Sequence, residues 1–190
     1  AKDSKCDDVL IQASVSNIPV SAAGIAHMLN GAPADAEQVT QIARTTEQLE
    51  RLSLLTKVGE AWWVHRWTAE GVSRCVDAES WRHRCARAGE YRAWRVQHES
   101  HAVEDGLEAM RNFVSACRWD EAAAVATSLI SALEQFQQTV VVAAVAGEVL
   151  ESLPPERWGY AWLADAEAQA HIALGFSERA LDRYLVMRTL

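Results

Sequence analysis

Apolar residues recur along most of this chain at helical spacing. In "AAGIAHMLNG", Ala22, Ile25, Ala26 and Leu29 stand at i, i+3, i+4 and i+7, one face of a helix. Ser21 is a suitable N-cap, and Pro19 stops the apolar segment before it, residues 8–15. Asn30 and Gly31 end the helix. Asp35 can cap a third, with Val39, Ile42, Thr46, Leu49 and Leu52 as its buried stripe. The pattern then changes over residues 53–65. "SLLTKV" reads as a strand, "GE" as a turn and "AWWVH" as the return strand, with a hairpin predicted over residues 54–58 and 61–65. Alternation puts Trp62 and Val64 on one face and Trp63 and His65 on the other. One tryptophan is expected in the core and the other over the hairpin. Three helices followed by a two-stranded hairpin is the layout of a winged helix, assigned to residues 1–77.

Beyond Trp67 no further strand is predicted. "DAESWRHRCARAGEYRAWRVQHES" reads as one long helix or a pair hinged near Gly89. "EAMRNFVSACRWDEAAAVATSLISAL" and "ADAEAQAHIALGFSERALDRYLVMRTL" each read as helix, tight turn and helix. Aligned on their turns, Cys117 matches Gly175 and Ala122 matches Ala180, small residues that let two helices approach. That is the pattern of a tetratricopeptide-like pair. The offset of 58 between Ala122 and Ala180 is no multiple of the roughly 34 residues of that repeat, so an irregular array is expected. Between the two lies one apolar helix closed by Pro154 and Pro155. The array is assigned to residues 78–190. Its last predicted helix reaches Leu190 without a polar capping helix, which suggests a fragment of a longer protein.

Composition fits a mainly α fold. Apolar residues are 49% of the 190, and only 9 Gly and 4 Pro argue against an all-β or disordered chain. The formal net charge of -8 disfavours general binding to nucleic acid or anionic lipid. Residues 1–77 hold seven Lys or Arg against ten Asp or Glu, and residues 35–52 carry a net -2. A helix entering the major groove needs the opposite balance, so no specific DNA binding is expected. No apolar run approaches a membrane span.

Candidate chemistry is sparse. Cys6, Cys75, Cys85 and Cys117 form no C-x-x-C pair and read as reduced thiols of a cytoplasmic protein. Cys75, His83, Cys85, His98 and His101 match no common zinc spacing, and no metal site is assigned. Arg84, Arg87 and Arg95, with Tyr91 between them, form the chain's basic concentration. They read either as a solvated face paired with Glu79, Glu90 and Glu99 or as a contact surface for an acidic partner. There is no G-x-x-x-x-G-K-[ST] and no recognisable triad, so the chain is not expected to be an enzyme alone.

The run "ERLSLLTKVGEAWWVHRWTAEGV", followed by "WRHRCARAGEYRAWRVQHESH" and the helical pairs, resembles the arm-and-sensor half of bacterial STAND proteins, the signal-transduction ATPases with numerous domains. The resemblance covers nearly the whole chain. It implies a winged helix resting on a nucleotide-binding module upstream in the same polypeptide, and helical repeats that receive a signal or mediate assembly with a protein partner. In that family a Met-His-Asp type motif places its histidine near the β-phosphate. The matching positions are Val64, His65 and Arg66, with Arg66 in place of the acid. The resemblance thus gives His65 and Arg66 a nucleotide-sensing role, with ATP or ADP bound by the upstream module and no cofactor in this chain. Two other functions remain open: a DNA-binding regulator with effector-binding repeats, and a helical scaffold that binds peptide.

Overall fold

The computed structural model describes residues 3–100 and 102–188. They form ten helices and three short strands. The front part runs α1 (Asp3–Ser14), β1 (Val20–Ser21), α2 (Ala22–Asn30), α3 (Ala36–Arg51), β2 (Thr56–Val58), β3 (Ala61–Trp63) and α4 (Arg66–Cys75). The sheet is antiparallel, in the order β1-β3-β2. Then follow α5 (Ala78–His98), α6 (Val103–Ser115), α7 (Trp119–Gln135), α8 (Thr139–Leu150), α9 (Tyr160–Ala173) and α10 (Ser177–Arg188). Each of these packs on the next in sequence, with α6 also touching α8 and α7 touching α9. None of the described helices is long and apolar enough to cross a membrane.

Local chemistry sets the helix boundaries. Ser21 accepts the Gly24 N–H at 3.1 Å, and Asp35 and Gln38 make a reciprocal capping box. Several C-termini close in one way. Arg118, Gln138 and Phe176 N–H bond back to Phe113, Leu133 and His171 carbonyls, around a left-handed residue at Cys117, Gln137 or Gly175. Only Gly175 adopts that conformation without a steric penalty.

The same device shortens the predicted hairpin. Ser53 has φ 59, and Leu54 N–H bonds to Leu49 O, so residues 52–54 finish α3 instead of starting a strand. Leu52, predicted in the buried stripe, is therefore 68% exposed. A further difference is β1. Its two residues are too few to show alternation, yet they pair with Ala61 and Trp62. Gly89 is no hinge, because α5 is continuous; the Phe113 ring lies where a side chain at Gly89 would begin.

One core cluster joins Val9, Val20, Ile25, Met28, Leu49 and Trp62 to Cys85, Ala88 and Tyr91 of α5. A rear cluster runs through α6 to α9, with Met110, Ile130, Val145 and Leu163 near its centre. A third, Ala109, Phe113 and Ala122, takes in Ala93 of α5. Helix α5 thus belongs to both halves. Ala122 and Ala180, matched in the repeat alignment, are both buried.

Candidate functional site at the hairpin edge

The end of β3 and the two residues after it deliver four consecutive side chains to different surroundings. Trp62 and Val64 are buried, Trp63 is half-buried and His65 is exposed, as the pleat requires. The return strand, predicted to reach residue 65, ends at Trp63, because His65 is already the N-cap of α4. Its Nδ1 accepts the Trp67 N–H at 3.4 Å, and its carbonyl accepts from Ala69 at 3.0 Å. The ring sits between Trp63 and Trp67, with centroids 5.7 and 5.4 Å away. With Nδ1 accepting, a neutral ring carries its proton on Nε2, which is left as a donor. Arg66 pairs with Glu70 at 2.9 Å, an exposed i,i+4 pair that holds the guanidinium only weakly.

Trp67, to which the sequence reading gave no functional role, is 78% exposed and completes this edge. It shares a helix face with Glu70, Gly71 and Arg74, three positions unsuited to a core, and that pattern could have marked it as outward. Beside the edge lies a groove of about 420 Å³ lined by Trp63, Arg66, Glu70, Trp81 and Arg111. A second groove, about 690 Å³, lies between α1, α2 and α3 and includes Arg84 but neither His65 nor Arg66.

The basic concentration on α5 does not assemble into an exposed patch. Arg84 pairs with Asp8, Arg87 with Glu90 at 3.2 Å, and Arg95 with Glu99 at 3.1 Å and Asp105 at 3.3 Å. Tyr91 is 5% exposed, against His27 and over Gly24, and burial raises the pKa of its hydroxyl. The cysteine and histidine set also scatters. Cys75 is exposed, while Cys85 is buried and its thiol is pushed up to about 12 by burial and then by Glu108. His98 stacks on Trp94, and His101 lies outside the described residues. Among the described residues no three His, Cys, Asp or Glu side chains converge as metal ligands.

Compared with family models, curated proteins and solved structures, the chain has no match.

Proposed function

We propose that this chain is the regulatory and protein-interaction segment of a STAND-type signalling ATPase. Its front part is a winged helix that holds a nucleotide-binding module closed. Its rear part is a tetratricopeptide-like array that receives a signal or mediates assembly. The winged-helix assignment draws on the strand inserted between α1 and α2, which pairs with the hairpin in the order β1-β3-β2. The array assignment draws on successive helices closed by similar turns at Cys117, Gln137 and Gly175.

The observation that carries the proposal is the exposed His65–Arg66 edge between β3 and α4, with imidazole Nε2–H left to donate. Such a donor fits a phosphate oxygen, and the guanidinium of Arg66 adds charge. Neither supplies the backbone cradle that a phosphate chain needs, so most contacts to ADP or ATP fall to the upstream module. His65 then acts as a supplementary contact that favours one arrangement of module and segment. The DNA-binding alternative has weaker support. The exposed charged side chains of α3 are Glu37, Arg44, Glu47 and Arg51, without the positive excess a phosphate backbone requires.

The test is nucleotide retention by the polypeptide that joins the module to this segment. His65→Ala is expected to release bound ADP about tenfold faster, the effect of losing one hydrogen bond worth about 1.4 kcal/mol. Unchanged release would remove the sensing role.

A further inference from the structure

Residues 17–19 are the last part of the link between α1 and β1, and Asn17 and Pro19 are exposed. Two buried ionisable side chains of the helical array nevertheless close on this linker from beneath. Arg92, 1% exposed, donates to Pro19 O at 3.1 Å and Ile18 O at 3.4 Å, while its other terminal nitrogen pairs with Asp105 at 2.7 Å. Glu108, also 1% exposed, accepts the Asn17 N–H at 2.5 Å. Both its oxygens accept from Asn17 Nδ2 at 3.3 Å, and Asn112 Nδ2 adds a contact at 3.4 Å. The charge of Glu108 is thus met by amides, and nearby Arg111 is engaged with Glu148.

Burying an arginine and a glutamate is unfavourable unless their hydrogen bonds are met. Here several of those bonds go to the backbone of the front part. The grip is therefore specific: the Arg92 Nε–H has no partner here, but the Arg92 terminal nitrogen on Ile18 and Pro19 and the Glu108 carboxylate on Asn17 keep these bonds only when residues 17–19 lie in this place. The next residue begins β1. Val20 stands opposite Trp62 and Ser21 opposite Ala61. From Trp62 the chain reaches His65 three residues later. A continuous path therefore runs from α5 and α6 through the linker, across one strand pairing, to the exposed edge.

We infer that Arg92 and Glu108 are positioning residues for the His65–Arg66 edge, linking its orientation to that of the helical array. As a route of regulation this rests on the proposed sensing role, but the coupling itself is measurable without nucleotide. A partner that bends α5 against α6 shifts the linker, and β1 carries the shift to β3. A contiguous path becomes evidence of coupling only when perturbation at one end is read at the other.

The experiment is NMR on the 190-residue chain, reading amide exchange at Asn17 and Ala61–Trp63 and the imidazole resonances of His65. Glu108→Ala is expected to speed Asn17 exchange at least about tenfold and to move the His65 resonances. Glu108→Gln keeps a carbonyl acceptor in place and is expected to restore both toward the parent. Arg157→Ala, which breaks the exposed ion pair with Asp120 in the rear part, is expected to leave both unchanged. If Glu108→Ala does not fold, Asn17→Ala supplies the comparison, because it removes two of the contacts from an exposed position, and the His65 resonances must again move. Release of the linker with His65 and Ala61–Trp63 unmoved overturns the inference, as does an Asn17 amide indifferent to Glu108. If His65 responds while His65→Ala leaves ADP release unaltered, the coupling stands and the sensing role falls.

Discussion

His27 lies on the inner face of α2, its ring tilted against Tyr91 at 5.1 Å and Trp94 at 4.8 Å. Burial lowers its pKa below the ordinary 6.5, and Glu99 offsets this only in part. The unfolded chain therefore binds the proton more readily than the folded one. Stability is fully present above pH 6.5 and declines as pH falls from there toward the lower folded pKa. The expected outcome is a smaller unfolding free energy at pH 5 than at pH 7, with the loss reduced in His27→Gln; urea titrations of both proteins at the two pH values check it. At this scale the sequence is informative where chemistry is local. Ser21 and Asp35 cap helices as their side chains predict, because the groups they satisfy lie within three residues. The burial of His27 and Tyr91 was not legible, since it depends on how α2 meets α5.

Helices were legible from periodicity, and strands only in part. The α5 helix shows why Gly is ambiguous in a sequence. Gly89 suggested a hinge, but its missing side chain accommodates the Phe113 ring, 2.8 Å from where a Cβ would sit. Phe113 is 4% exposed and has little room to give. Gly89→Ala is therefore expected to destabilise the chain by about 1–3 kcal/mol through overpacking. An open helical position would instead gain up to about 1 kcal/mol from better helix propensity. Thermal melting separates the two by sign, and a raised Tm would show that α5 and α6 are not in tight contact there. β1 escaped notice for a different reason. Two residues have no period, and only their partner, β3, makes them a strand.

For the whole molecule, the order of elements was legible in outline: helices, a small sheet region, then helices to the end of the described residues. The shared position of α5 was not. Its Cys85, Ala88 and Tyr91 complete the front core while Ala93 packs toward α6 and α7. The candidate site was half legible. His65 and Arg66 were singled out by the resemblance of the Val64–His65–Arg66 run and not by periodicity; they lie just past β3, at the start of α4. The grip of Arg92 and Glu108 joins residues 73 and 91 apart in sequence, beyond any local pattern. Such a joint suits the proposed role, in which the helical array passes a signal to the His65–Arg66 edge. A regulatory segment of this kind can bias its module only by binding its two nucleotide states with different affinity. The most direct measurement is a titration of the separately prepared upstream module, loaded with ADP or with a non-hydrolysable ATP analogue, against this 190-residue chain. The account predicts binding at least about tenfold tighter to the ADP form, a difference of about 1.4 kcal/mol, with His65→Ala reducing it. Equal affinity for the two forms, or a polypeptide with no such module, would contradict it.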